Sequence, residues 1–169
     1  NNVNVFREQL SFYRSRIFYY SLPVAFSYLG ISIIDGFYLT SFLFSFISLI
    51  VLFFISREFI PIRYISFLPL LLSGIGFISI SRLSTPDSMA CFGVLITIYA
   101  MIKYDSRHLV LLPIIILFRR DLFIFSCLVL LFHYLKNSSI DYKFLFSSIS
   151  CFVVYYLSTS LSGHPGWST

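Results

Sequence analysis

The chain is a succession of long apolar runs separated by short polar segments. Residues 37–55, 64–81, 88–102 and 144–162 contain no charged side chain. A helix needs about 20 apolar residues to cross a hydrocarbon core of about 30 Å, and shorter helices are tolerated where protein surrounds them. The pattern therefore predicts four membrane helices, of which 88–102 is a short one.

Residues 17–34 allow two interpretations. They are apolar and long enough to cross the membrane, but they contain Pro23 and Gly30 and follow a basic, aromatic segment. The segment either spans or lies at the interface as an amphipathic or re-entrant helix. Residues 1–16 would be cytoplasmic in the first case and external in the second.

Residues 109–135 are apolar except for Arg119, Arg120 and Asp121. One straight helix would carry these charges near the middle of the membrane, at about 2.5–3.5 kcal/mol each. Two short helices, 109–118 and 122–135, place the charges at the turn between them and avoid most of this cost. We therefore predict a short helix hairpin.

Composition agrees with a membrane protein. The chain is 58% hydrophobic and 11% charged, with a mean hydropathy of +0.89, whereas soluble domains contain about 25% charged residues. We predict an all-α fold, a polytopic bundle of about six to seven membrane helices. Residues 1–169 are expected to form a single transmembrane domain and to be a fragment of a longer protein.

The basic residues predict the orientation of the bundle. With the hairpin, three loops that carry two basic residues each fall on one side, namely 56–63, 103–108 and 136–143. Lys and Arg are enriched on cytoplasmic loops, so this side is expected to be cytoplasmic. The net charge of +5 is explained in the same way, and no basic stripe for nucleic acid is present. The opposite, outer side then receives Asp35, Arg82–Asp87, Arg119–Asp121 and 163–169.

Arginines beside carboxylates at a membrane surface suit an anionic, lipid-linked substrate. Arg119, Arg120 and Arg82 could grip a phosphate, and Asp121 and Asp87 could act as a general base or hold a metal. Each has a plainer interpretation. Asp87 could simply begin a helix favourably, and Arg119–Asp121 could be a turn whose charges lie in water.

Residues 14–135 resemble the multi-spanning GT-C glycosyltransferases in the order of their elements. The segment from Arg14 to Pro23 resembles the basic, Pro-containing end of that family's first external loop, and Ser56-Arg57-Glu58 ends the span that follows. Thr85-Pro86-Asp87-Ser88 is similar to a short external element that opens a later helix. Leu117-Phe118-Arg119-Arg120-Asp121 looks like the family's short helix pair with an arginine at its external turn.

The resemblance implies sugar transfer from a polyprenyl-phosphate donor at the outer face of a plasma or inner membrane. It implies that 17–34 is a juxtamembrane element and that 1–16 are external. The family's catalytic acid follows its first membrane helix, so the base is expected upstream of Asn1. Partners are the lipid bilayer and the lipid-linked sugar. No cofactor is predicted, and a divalent metal is left open.

Two alternatives remain at the level of sequence. A surface-polysaccharide polymerase or a flippase-like protein would also use arginines, on lipid-linked oligosaccharide. A non-catalytic transporter-type subunit would place charges inside the bundle near the midplane. In this chain only Arg119–Asp121 could do so.

Overall fold

The computed structural model describes residues 17–65, 87–103, 106–137 and 140–162, and every regular element in these ranges is a helix. Two compact units divide the chain. The N-terminal unit is Tyr19–His108, and the C-terminal unit contains the described residues from Leu109 onward. The helices are α1 (Ile17–Ser27), α2 (Ile33–Phe59), α3 (Ile62–Ile65), α4 (Asp87–Lys103), α5 (His108–Phe118), α6 (Leu122–Asn137) and α7 (Tyr142–Ser162).

The N-terminal unit is built on α2 and α4, which lie side by side and run in the same direction. The rings of Phe44 and Phe92 are 5.5 Å apart, and farther along both helices Lys103 Nζ lies 2.6 Å from Glu58 Oε1. The carboxyl ends of the two helices therefore meet at one end of the unit. This matches the prediction that loops 56–63 and 103–108 share a side.

Small and hydroxyl-bearing residues form the buried face of α2, whereas large apolar residues on the same helix are exposed. The exposed face includes Phe42, Phe46, Ile50 and Phe53. The buried side of α4 likewise holds Ala90, Gly93, Thr97 and Ala100. Such a distribution is the reverse of a soluble helix and is typical of helices that pack in lipid, where small residues let backbones approach. The buried residues of α2 are Gly36, Thr40, Ser41, Ser45, Ser48, Val51 and Ser56.

Three of these buried hydroxyls are satisfied within their own helix. Thr40 Oγ1 donates to the Gly36 carbonyl at 2.7 Å, and Ser48 Oγ donates to Phe44 at 2.6 Å. On α4, Thr97 Oγ1 donates to Gly93 at 2.8 Å. Bonds to the carbonyl four residues earlier keep a hydroxyl satisfied without water. Among the described residues, Ser45 and Ser88 have buried hydroxyl oxygens with no hydrogen-bond partner.

Helix α1 folds back along the first turns of α2. The chain reverses at Gly30, whose φ of +84° favours glycine, and Ser32 caps α2 by accepting a hydrogen bond from the Asp35 amide at 3.1 Å. A Cβ added at Gly36 would lie 3.1 Å from Pro23 Cα, so glycine permits the close approach. The buried hydroxyl of Tyr19 lies 3.2 Å from Ser41 Oγ.

In the C-terminal unit, three helices are joined by a few specific contacts. Ser126 Oγ on α6 donates to the Leu122 carbonyl of its own helix at 3.0 Å and also lies 3.4 Å from the Leu112 carbonyl on α5. Ser147 Oγ on α7 donates to the Leu109 carbonyl at 2.7 Å. At the other end of the unit, the rings of Phe123 and Tyr155 stack with centroids 4.4 Å apart. These contacts lie near both ends of the unit. They therefore show that α5 and α6 form an antiparallel hairpin and that α7 runs parallel to α5.

The predicted helices are confirmed where the structure describes them. Segment 88–102 is α4, 144–162 lies in α7, and the hairpin has helices at His108–Phe118 and Leu122–Asn137. Residues 17–34 are interrupted at 28–32, so one straight helix across this segment is excluded. The predicted span 64–81 lies outside the described residues apart from its first two positions.

Only α2 is both long and apolar enough to cross a membrane among the described residues, and it has 27 residues. Helices α5 and α6 are apolar but shorter. The all-α class is thus established for the described chain.

The unsatisfied hydroxyl of Ser45 makes the α2–α4 interface testable. Ser45→Ala removes an oxygen that has no partner, so we expect the unfolding temperature in detergent to be unchanged or higher. Ser45→Leu adds volume to a packed interface and should cost about 1–3 kcal/mol.

The matched control is Phe46→Leu, one residue away on the exposed face, which should change little. Thermal unfolding followed by circular dichroism measures all three variants. If Ser45→Ala proves as damaging as Ser45→Leu, the hydroxyl has a role that this packing does not explain.

Candidate functional site

The Arg119–Asp121 turn joins two apolar helices and is stabilised mainly by backbone hydrogen bonds. Arg119 N–H donates to the Ile115 carbonyl at 3.2 Å, which closes α5. Leu122 and Phe123 then donate to the carbonyls of Arg119 and Arg120, each at 3.0 Å, which starts α6. The charged residues lie at the turn, where the hydrogen bonding of α5 ends and that of α6 begins. The cost of inserting charged side chains into the membrane predicts this position.

An ion pair lies within this turn. Arg119 Nε donates to Asp121 Oδ2 at 3.0 Å, and the two side chains are 37% and 44% exposed. Pairs this exposed contribute about 0–1 kcal/mol to stability, so the pair orients the guanidinium more than it stabilises the fold. With Arg120 alongside, the turn retains a net positive charge.

The turn lies far from the lysines of the same unit. Tyr155, which stacks on Phe123 just beyond the turn, is 12 positions along α7 from Lys143. At 1.5 Å per residue this is about 18 Å along the helix. Lys136 ends α6 on the Lys143 side. The C-terminal unit therefore has an arginine end and a lysine end, as the hairpin prediction requires.

Of the other predicted site residues, the structure describes Asp87. It is the first residue of α4 in the N-terminal unit, which confirms its interpretation as a helix-start residue. Its expected role beside a substrate stays a prediction. Arg82 lies outside the described residues.

Asp35, which the orientation places on the outer side, has a structural function. Its side chain accepts a hydrogen bond from Ser32 Oγ at 2.6 Å while its amide donates to the same oxygen at 3.1 Å. This reciprocal arrangement caps α2. Asp35 is therefore a capping residue.

No group of three or more His, Cys, Asp or Glu side chains that could hold a metal occurs in the described parts of the chain. What the turn offers is two guanidinium groups and one carboxylate, partly exposed at the end of a hairpin. Such a set binds an anionic oxygen group by charge-assisted hydrogen bonds. This set of side chains can stabilise a negative charge electrostatically, and no nucleophile is evident among them.

Sequence reasoning missed the two small-residue faces that pair α2 with α4. Their signal was present, because Ser41, Ser45 and Ser48 recur at helical spacing, as do Gly93 and Thr97. It also missed the stacked pair of Phe123 and Tyr155. No sequence pattern specifies that contact.

Comparison of the chain with models of protein families, with curated proteins and with solved structures finds no match. Membership of the GT-C class therefore stays a prediction. It rests on the motifs quoted above and on the geometry of this turn.

The position of the turn predicts which side of a membrane reaches it. In a variant with Cys91, Cys127 and Cys151 replaced by alanine, Arg120→Cys should react with a membrane-impermeant maleimide added to the outer face. The reason is that residue 120 lies in the turn of the hairpin, which the charge distribution assigns to the outer side. Intact cells or sealed vesicles of known orientation give the measurement.

Two control variants use the same background. Lys143→Cys should react only after permeabilisation, and Leu128→Cys, midway along α6, should resist the reagent from both sides. Protection of position 120 from both sides would contradict the outer-face location and place the charges in the bundle interior.

Proposed function

We propose that the chain is a multi-pass integral membrane protein of about six to seven membrane helices, in a plasma or inner membrane. Support comes from the length of α2 and from the reversed distribution of residues on α2, with Phe42 and Phe46 exposed and Ser41 and Ser45 buried. Large aromatic and aliphatic side chains on a whole helix face suit contact with lipid.

In this proposal α1 does not span the membrane. Its 11 residues extend about 16 Å, roughly half of the hydrocarbon core. Because Tyr19 and Pro23 pack against the first turns of α2, the helix follows α2 only part of the way. This supports the re-entrant or juxtamembrane interpretation of residues 17–34.

The lysine end of the C-terminal unit is assigned to the cytoplasm by the distribution of basic residues. Helix α6 has 16 residues and extends about 24 Å, a little less than the hydrocarbon core of about 30 Å. Helix α5 has 11 residues and extends about 16 Å, so α6 sets the depth of the turn. The Arg119–Asp121 turn then lies close to the outer boundary of the core. The phosphate of a membrane lipid occupies the same depth.

We infer that this turn binds the phosphate of a polyprenyl-phosphate sugar and that the protein is part of a GT-C type glycosyltransferase. The observation that carries the inference is the paired, partly exposed Arg119–Asp121 turn, with Arg120 alongside, between two apolar helices. Asp121 holds Arg119 in one orientation. Arg82 is a further candidate outside the described residues, and Asp87 is a candidate at the start of α4.

The reaction is an inverting sugar transfer. The acceptor hydroxyl loses its proton to a carboxylate base as its oxygen bonds to the anomeric carbon of the sugar. The bond from that carbon to the phosphate oxygen breaks, and its electron pair stays on the lipid phosphate. Arg119 and Arg120 stabilise this developing charge. No residue of this chain is assigned as the base.

A transporter-type subunit is supported less well. It calls for charged side chains within the helix bundle near the midplane. In the described part of the N-terminal unit, the buried polar side chains are Ser and Thr, together with His108 at its boundary. The charged side chains of Glu58 and Lys103 lie at helix ends. A polymerase or flippase-like protein that acts on lipid-linked oligosaccharide would use the same phosphate contacts.

The double variant Arg119→Ala, Arg120→Ala in the full-length protein tests this proposal. Because both cations that face the leaving phosphate are removed, sugar transfer from a polyprenyl-phosphate donor should fall by at least about a hundredfold. Transfer of a radiolabelled sugar in isolated membranes measures it.

Lys136→Ala is the matched control, since it removes a cation from the opposite end of the same hairpin and should leave transfer unchanged. Membrane insertion of both variants is checked by carbonate extraction. Transfer at the wild-type rate in a properly inserted double variant would refute the assignment.

A further inference from the structure

An open apolar groove runs along the C-terminal unit between α5 and α7, with a volume of about 880 Å³. Ser147 on α7 links the two helices near the lysine end of the groove, because its hydroxyl donates a hydrogen bond to the Leu109 carbonyl on α5. Farther along, Pro113 on α5 and the small side chain of Ser150 on α7 line the groove. Ligand sites in proteins have volumes of about 300–1,000 Å³.

The walls of the groove are almost entirely apolar. Val110, Ile114 and Leu117 line it from α5, and Phe146 and Val154 line it from α7. Val110 and Phe146 are 64% and 71% exposed. Exposed apolar surface of this kind requires an apolar partner.

Among the described residues that line the groove, Lys143 is the only charged one, and it stands at one end. Its Nζ lies 5.9 Å from the centroid of the neighbouring Tyr142 ring. Arg119, Arg120 and Asp121 do not line the groove. The groove therefore has one cationic end and an otherwise apolar length.

The length of the groove corresponds to one leaflet of a bilayer. Lys143 and Val154 are 11 positions apart on α7, which is about 16 Å at 1.5 Å per residue. Half of a hydrocarbon core of about 30 Å is about 15 Å. An acyl chain that enters at Lys143 would thus reach the level of Val154 within one leaflet.

We propose that this groove binds an anionic phospholipid, with one acyl chain along α5 and α7 and its phosphate on Lys143. The charge and the apolar walls together favour this ligand, because a soluble anion would leave the walls uncovered and a zwitterionic headgroup carries a cation that opposes Lys143. The amide of Phe144, near the start of α7, is occupied by Asp141 Oδ1 at 2.8 Å. The side chain of Lys143 is therefore the anion contact.

This site is separate from the proposed phosphate site at Arg119–Asp121, since it lies at the opposite end of the same unit. It concerns a resident membrane lipid and no step of sugar transfer. Its test therefore does not depend on any enzymatic activity.

Native mass spectrometry of the full-length protein, purified in detergent and incubated with lipid, tests the proposal. Dioleoyl phosphatidylglycerol should remain bound in preference to dioleoyl phosphatidylcholine. Lys143→Gln should reduce retention of phosphatidylglycerol about fivefold, the effect of one lysine beside an anionic headgroup. Retention of phosphatidylcholine should not change.

Two further variants separate the groove from general surface charge. Lys136→Gln removes a neighbouring cation that does not line the groove, so it should not affect retention. Ser150→Phe fills the groove and should reduce retention of phosphatidylglycerol, whereas Ser150→Ala should not. Circular dichroism confirms that each variant is folded.

Several results would overturn the proposal. Equal retention of the two lipids, or an equal loss in Lys136→Gln and Lys143→Gln, would show a nonspecific interaction. Unchanged retention in a folded Ser150→Phe variant would exclude the groove. A cross-link between two copies through Val110→Cys or Phe146→Cys, abolished by Ser150→Phe, would show that a second copy occupies it instead.

Discussion

The requirement that polar groups be satisfied without water governs the arrangement of α2 and α4. Their buried faces consist mainly of Ser, Thr, Gly and Ala, and the hydroxyls of Thr40, Ser48 and Thr97 bond to carbonyls of their own helix. With these hydroxyls satisfied internally, the two backbones can approach closely, and the large apolar side chains face outward. A water-soluble helix pair has no reason to adopt this pattern.

The same requirement confines the charges to the ends of helices. Glu58 and Lys103 pair where α2 and α4 finish, and Arg119 pairs with Asp121 where α5 gives way to α6. Lys143 lies in the first turn of α7. Each charged position is therefore also a boundary between apolar and polar surroundings. Phosphate-bearing lipids and lipid-linked substrates are found at such boundaries, which is why both proposed sites lie there.

The sequence predicted those features that depend on the free-energy cost of placing individual charged residues in the membrane. The hairpin at 109–135 followed from the expense of burying Arg119, Arg120 and Asp121, and the structure places them at the turn. It left 17–34 undecided, because the break there depends on the close approach of Pro23 to Gly36, a tertiary contact. The parallel pairing of α2 with α4 could not be predicted either, since small residues at helical spacing do not specify which helix packs against them.

The candidate site was predictable only in part. Residue types predicted Arg119 and Arg120 as candidate phosphate ligands, whereas the hydrogen bond from Arg119 to Asp121 depends on side-chain orientation. The groove beside Lys143 requires two helices that are distant in sequence to run parallel. No single segment carries that information.

The central claim is that the large apolar face of α2 contacts lipid. Nitroxide labels placed one at a time at positions 38–54 in liposomes test it through collisions with oxygen and with a water-soluble nickel chelate. We expect oxygen collisions to peak at 42, 46, 50 and 53 and to be lowest at 41, 45 and 48, with few nickel collisions throughout. Frequent nickel collisions at 42, 46 and 50 would mean that this face meets water and would contradict the account.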